Sequence, residues 1–206
     1  MIEAVTSPNA PEILLPFPTA VAPVRHARST ILLGSIASLR QAGHFERYSA
    51  ALAPEHRDGL LQAVAGTWIA VEVARSHYRA CEALGLSPDE EVGLGRSTFE
   101  RTGDTMFGTV LRLAKGAGVT PWTVLPHLQR FWERGYDGGG LSVWRLGPKE
   151  ARIELAQCSL AEVRYFRNAL RGLFSSVVQL FCTRAYLQEA PGTRPRGGFA
   201  VRAQWA

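Results

Sequence analysis

Apolar residues recur at helical spacing through the first half of the chain. Residues 28–40 place apolar side chains on one face, and Gly43 follows as a helix end. A longer stretch, residues 57–84, keeps a period close to 3.6 and ends at Gly85. The apolar positions of these two stretches are Ile31, Leu32, Ile36, Leu39, Leu60, Leu61, Val64, Trp68, Val71, Ala74, Tyr78 and Cys81. The pattern predicts a helical N-terminal half.

Capping residues mark where the next helix begins. Ser87 is an expected N-cap, Pro88 takes the first helical position, and Glu90 completes a capping box. Glycines early in this helix weaken it, and Gly103 is expected to break it. The sequence therefore predicts a second helical piece over residues 105–114.

The glycine run 138–140 follows another predicted helix. That helix is capped by Thr120, kinks or begins again at Pro126, and ends at Gly135. A phosphate-binding glycine loop has the opposite order, because it follows a strand and leads into a helix whose N-terminus faces the phosphate. The run is therefore predicted to be a bend between a helix and a strand.

Strand-like runs follow this bend. Residues 141–156 read as two strands joined by a turn at 147–150. A helix over residues 159–182, with Ser159 and Glu162 as a capping box, and two closing strands follow. The predicted fold class is α+β, with a helical N-terminal half and an antiparallel sheet made from the hairpin plus the two C-terminal strands, covered by helices. We expect a Pro-rich arm over residues 1–27 and a single domain over residues 28–206.

Composition bears on the cellular location and the partners of this domain. The chain has 206 residues, 46% hydrophobic and 20% charged, and no stretch approaches the roughly 20 apolar residues that span a bilayer. The net charge is +5, but the arginines are scattered and often lie near acidic residues, which disfavours a nucleic-acid partner. Three widely spaced cysteines (Cys81, Cys158, Cys182) form neither a disulfide framework nor a zinc spacing, so we expect a cytoplasmic protein.

Catalytic constellations do not assemble in the sequence. It has no nucleophile elbow, no zinc-protease motif and no Walker loop. His77 and Cys81 are four residues apart on a predicted helix, but nothing nearby in sequence would activate the thiol. The expectation is that the chain is not an enzyme.

Most of the chain resembles a paralogous family found in myxobacteria, which has no established activity to transfer. The resemblance is carried by the stretch from "FERTGDTMFGTVLRLAKGAGVTPWTVLPHLQRFWERG" to "LSVWRLGPKEARIELAQC". More distantly, the hairpin, the helix "YFRNALRGLFSSVVQLF" and the closing strands resemble the ending of three groups. These are the four-vinyl-reductase-type ligand domains, the TRAPP vesicle-tethering subunits and the heme nitric-oxide/oxygen-binding domains. The shared features are element order and a glycine inside the long helix, Gly172 here.

This resemblance implies a pocket between helices and sheet that holds an apolar ligand. The lining residues it suggests are Trp68, Met106, Phe107, Trp122, Phe131, Trp132, Phe166 and Phe174, which would otherwise be ordinary core. His127 lies roughly where a heme domain of this type places its proximal ligand. However, the Tyr-x-Ser-x-Arg signature of that family is replaced by residues 154–158, "ELAQC", so heme and its ligation by His127 are disfavoured and no metal site is predicted.

Three functions remain open from the sequence. The first is a non-catalytic sensory or regulatory domain that binds a small apolar ligand. The second is an interaction or dimerisation module without a ligand, and the third is an enzyme of unrecognised type. A homodimer is expected, because Trp205 near the end of a terminal strand needs cover and the Pro-rich arm has few internal reasons to be ordered.

Overall fold

A computed structural model of the chain describes residues 11–114, 118–190 and 197–206, without the side chains of residues 104–114. The helices are α1 (Ser29–Gln41), α2 (Phe45–Ala51), α3 (Pro54–Leu61), α4 (Val71–Glu82), α5 (Pro88–Ala114), α6 (Pro121–Val124), α7 (Leu128–Gly135) and α8 (Arg164–Gln179). The strands are β1 (Glu12–Leu15), β2 (His26–Arg28), β3 (Trp68–Ala70), β4 (Tyr136–Asp137), β5 (Gly140–Gly147), β6 (Glu150–Ala156), β7 (Ala185–Glu189) and β8 (Phe199–Trp205). The predicted α+β class is confirmed.

Two antiparallel sheets organise the molecule. The larger has the order β1-β5-β6-β8-β7, so the predicted hairpin and closing strands form its centre and one edge. The other edge is β1, which comes from the Pro-rich segment and pairs with β5. The smaller sheet has the order β3-β2-β4 and lies where the glycine run returns the chain from α7. Both sheets therefore use strands from the first 28 residues.

The long helix α8 covers the larger sheet and packs against α5. Phe166, Leu170 and Phe174 on its apolar face are all buried, as the sequence predicts. The α5–α8 contact is close because two glycines meet the partner helix's backbone. A Cβ atom on Gly95 would lie 2.0 Å from the carbonyl oxygen of Ala169, and one on Gly172 would lie 2.1 Å from that of Val92. The glycine inside α8 therefore sets the distance between the two helices.

Three predicted helix boundaries are wrong. Residues 57–84 are not one helix, since α3 ends at Leu61 and β3 pairs with β2 before α4 begins; Gly66, at φ +86°, turns the chain between them. Gly103 does not break α5, which continues to Ala114. Ser159 and Glu162 form a separate 3₁₀ helix, and α8 begins only at Arg164, after Val163.

Other local predictions are confirmed by hydrogen bonds. The Ser87 backbone N–H donates to a Glu90 carboxylate oxygen at 2.8 Å, which completes the capping box of α5. Thr120 and Thr123 form the capping box of α6, and Pro126 lies in a 3₁₀ helix that separates α6 from α7. Within the described residues, no helix is both long enough and apolar enough for a transbilayer segment.

Candidate functional site

The glycine bend fixes an aromatic wall beside the smaller sheet. Gly138 and Gly139 have φ values of +96° and +73°, which confirms the bend. The Trp132 indole N–H donates to the Gly138 carbonyl oxygen at 2.7 Å, and its ring stacks on Tyr136 with centroids 4.1 Å apart. A Cβ atom on Gly139 would lie 2.9 Å from the Trp132 indole nitrogen. The bend therefore holds Trp132 and Tyr136 in fixed positions.

Two adjacent small cavities, together called the helix–sheet pocket, lie behind this wall. The first cavity, of about 20 Å³, is lined by Ile31, Ser35, Tyr78, Gly95, Thr98, Tyr136, Phe166, Ala169, Leu170 and Leu173. The second, of about 30 Å³, is lined by Ile31, Leu128, Phe131, Trp132, Gly135, Tyr136, Leu141, Leu170, Leu173, Phe174 and Val177. None of these lining residues carries a charge. The lining that the structure describes is therefore apolar, with a few hydroxyl groups at the first cavity.

Helical periodicity explains most of the lining. Leu128, Phe131, Trp132 and Gly135 share one face of α7, and Phe166, Leu170, Leu173, Phe174 and Val177 share one face of α8. These two faces meet above Leu141 of β5. The sequence signal for the α8 face was clear, whereas no pattern marked Ser35 or Tyr136 as pocket residues.

The residues predicted to line a pocket divide into three groups. The structure brings Phe131, Trp132, Phe166 and Phe174 to the helix–sheet pocket. Trp68 and Trp122 lie elsewhere: Trp68 is 42% exposed under the Arg28 guanidinium, and Trp122 packs against Trp205. The side chains of Met106 and Phe107 lie outside the described residues. Apolar periodicity alone does not distinguish a pocket wall from a surface position such as Trp68 or a second core contact such as Trp122.

His127 does not face the pocket. It is exposed at the end of the 3₁₀ helix that precedes α7, and it is absent from the lining of both cavities. Among the described residues, no group of three or more His, Cys, Asp or Glu side chains could hold a metal ion.

The described pocket does not fit heme. Its described lining contains no His, Cys or Met side chain that could ligate iron. The Tyr78 and Tyr136 hydroxyls bond to each other at 3.1 Å, and burial raises the pKa of both phenols, so neither is available as a phenolate ligand.

A buried polar chain runs beside the first cavity. The Tyr48 hydroxyl lies 2.7 Å from Nδ1 of His77, and Nε2 of His77 lies 3.0 Å from the Ser35 hydroxyl. Ser35 and Cys81 both bond to Tyr165. These hydrogen-bonded side chains are all buried. Their bonds to one another explain how a histidine is tolerated in the core.

The arrangement of His77 and Cys81 does not activate the thiol. The Cys81 sulfur lies 3.8 Å from Nε2 of His77, yet burial raises the pKa of Cys81 and lowers the pKa of His77 to about 3. Both groups are therefore neutral at pH 7, and no thiolate–imidazolium pair forms. Cys158 is also buried, which raises its pKa to about 12, and all three cysteines are free thiols.

Acid should destabilise the fold through His77. Its pKa in the folded chain is about 3, below the ordinary value of 6.5, so the unfolded chain binds more protons between these values. The contribution of His77 to the free energy of unfolding is therefore fully present above about pH 6.5. It falls as the pH drops toward 3, by up to about 1.4 kcal/mol per pH unit. In a His77→Gln variant, urea unfolding should show a pH slope shallower by this amount. Equal slopes for the two proteins between pH 6 and 4 would contradict the assignment.

Comparison with known proteins gives the fold. No protein-family profile and no curated protein matches the sequence. Solved structures of H-NOX domains do match, each over 86% of this chain. An oxygen-binding H-NOX domain related to soluble guanylate cyclases, in its oxygen complex, is 15% identical, with 94% of its length covered and a TM-score of 0.58. A structure from a study of heme distortion in the H-NOX family is 16% identical, with 94% of its length covered and a TM-score of 0.59. A mutant of T. tengcongensis H-NOX is 14% identical, with 97% of its length covered and a TM-score of 0.55. The chain therefore has the H-NOX fold.

Proposed function

We propose that this chain is a non-catalytic sensory or regulatory domain that binds a small apolar ligand in the helix–sheet pocket. The observation that carries the proposal is a pocket between α1, α7, α8 and β5 whose described lining is uncharged and apolar, in the fold that H-NOX domains use. The neighbours are described as heme proteins, but the described lining here offers no iron ligand. The proposal is therefore a change of ligand within the same fold.

Ligand entry requires side chains to move. The two cavities share only Ile31, Tyr136, Leu170 and Leu173, and each holds a water-sized volume. Leu173 and Phe131 are half-buried, whereas the other large apolar side chains of the lining are buried. Rotation of Leu173 and Phe131 would join the cavities and open them, at less cost than moving fully packed side chains. Ligand binding would then be coupled to the position of α7 against α8, which is how a signal could leave the pocket.

The proposal predicts that apolar probes stabilise the protein. n-Butylbenzene at about 100 times its dissociation constant should stabilise the folded chain by about 2.7 kcal/mol, or roughly 5 to 10 °C in Tm. A Leu173→Trp variant, which fills the pocket, should lose this shift. Leu187→Trp places the same bulk on the half-buried β7 face and should keep it. Equal shifts in both variants would place the probe elsewhere and contradict the proposal.

Heme should not bind through His127. Reconstitution with hemin should give no Soret shift that depends on this residue, because its side chain is exposed and lies outside the pocket lining. The comparison is between the wild-type chain and His127→Ala, by absorption spectroscopy. A shifted Soret band that is lost in His127→Ala would show that the chain binds heme as well as having the fold.

Homodimerisation and a cytoplasmic location stay predictions. Trp205 is only 8% exposed and lies edge-on to Trp122 at 4.6 Å between centroids, so its own chain covers it. The outer strands β1 and β7 leave Ile13 and Tyr186 exposed, and these strands are where a second copy would pair. Light scattering on the full chain and on one that begins near Arg25 tests whether the arm contributes.

A further inference from the structure

Two tyrosine hydroxyls meet at the first cavity of the helix–sheet pocket. Tyr78 comes from α4 and Tyr136 from β4, and their oxygens are 3.1 Å apart. Both side chains are buried, with exposures of 3% and 6%, and Phe166 packs edge-on against both rings. The aromatic contacts therefore fix the two rings, and both tyrosines line the first cavity.

One hydrogen of this pair lacks an acceptor. Two hydroxyls carry two hydrogens, and only one of them is used in the bond between the tyrosines. Among the described residues, neither hydroxyl makes a second side-chain hydrogen bond. A buried donor without a partner is unfavourable, and native structures usually supply one as protein, water or ligand.

The other polar groups at this cavity are already engaged. The Thr98 hydroxyl donates to the Leu94 carbonyl oxygen at 2.8 Å. Ser35 bonds to His77 and to Tyr165 within the buried polar chain. The remaining tyrosine hydrogen is therefore available to donate a hydrogen bond to a molecule bound in the pocket.

We infer that the helix–sheet pocket selects a small uncharged apolar molecule that carries one accepting oxygen, of the ketone, aldehyde, ester or ether class. The Tyr78–Tyr136 pair donates a hydrogen bond to that oxygen. A charged ligand is disfavoured because none of the described side chains that line the pocket is charged to compensate for its lost hydration. This inference rests on the proposed function and adds the chemical class of the ligand.

The two cavities suit the two parts of such a molecule. The first, of about 20 Å³, has room for one oxygen at the hydroxyl pair. The second, of about 30 Å³, is lined by Phe131, Trp132 and the α8 face. Rotation of Leu173 would enlarge this cavity, which would then hold the apolar part of the ligand. Tyr136 lines both cavities and so lies at the junction between the oxygen and the hydrocarbon.

The test compares 4-phenyl-2-butanone with n-butylbenzene, a hydrocarbon of similar shape that has no acceptor. Calorimetry measures both dissociation constants for the wild-type chain and for the double variant Tyr78→Phe/Tyr136→Phe. Replacing both partners of a buried hydrogen bond with apolar rings of the same shape is close to neutral for stability, so the double variant should fold. Tyr186→Phe, at an exposed tyrosine on β7, is the matched control.

The ketone should bind the double variant about tenfold more weakly than the wild-type chain, while the affinity for n-butylbenzene is unchanged. Each single variant retains one hydroxyl hydrogen and should keep part of the preference. An unchanged ratio of the two affinities in the double variant overturns the inference, because the donor is then satisfied by water. Failure of n-butylbenzene itself to bind the wild-type chain is a different result, which removes the proposed function.

Discussion

Gly172→Ala should be among the most destabilising single substitutions in the chain. The added Cβ would lie 2.1 Å from the Val92 carbonyl oxygen and 3.0 Å from the Arg96 backbone nitrogen, both on α5. Backbone atoms within a packed helix cannot move aside as a flexible side chain can, so α8 must separate from α5. Urea unfolding should show a loss of about 3 kcal/mol, or a chain that no longer folds.

Gly93→Ala is the matched control for this substitution. Gly93 lies on α5 in the same contact region, but a Cβ atom there would meet nothing within 4 Å. The same change should therefore stabilise the chain by up to about 1 kcal/mol through helix propensity alone. If the free energies of unfolding of both variants lie within about 0.5 kcal/mol of the wild-type value, the helices α5 and α8 do not approach as closely as described.

Arg164→Met should also be costly, because it leaves a buried carboxylate without its cation. Glu91 on α5 is fully buried, and a terminal guanidinium nitrogen of Arg164 lies 2.9 Å from its Oε1. The Asn168 amide donates to Oε2 at 2.6 Å, so both groups on α8 hold one carboxylate. Removing the cation that faces a fully buried carboxylate should cost up to about 3 kcal/mol, and we expect that loss in the free energy of unfolding at pH 7.

The background variant Glu91→Gln separates charge from packing. A neutral amide at this position needs no cation, so Arg164→Met should cost about 1 kcal/mol there. The difference between the two costs is the coupling between residues 91 and 164. A coupling near zero would show that Arg164, which is 40% exposed, does not stabilise the buried carboxylate.

Much of the fold follows from local sequence patterns, and the exceptions have identifiable causes. The α8 stripe, the hairpin at 147–150 and the Ser87 capping box are local signals, and the structure has each of them. The close approach of α5 to α8 is not local, because Gly95 and Gly172 that permit it are 77 residues apart. A glycine that permits close helix packing has the same sequence signature as one that ends a helix.

The candidate site was less accessible from sequence. The aromatic residues of α7 and α8 could be chosen because their spacing placed them on one helix face. Tyr136 could not, because its position depends on the glycine bend and on the pairing of β4 with β2. The pairing of its hydroxyl with Tyr78 joins residues 58 positions apart, which no sequence period indicates.

The central claim is that the pocket holds a small apolar ligand and not heme. Native mass spectrometry of the purified chain, compared with its denatured mass, tests this most directly because it reports what the folded protein retains. The account predicts a native mass that exceeds the polypeptide by one uncharged organic molecule, which is released on denaturation, with no heme. A native mass equal to the bare chain or to two bare chains, or an added mass equal to heme, would contradict it.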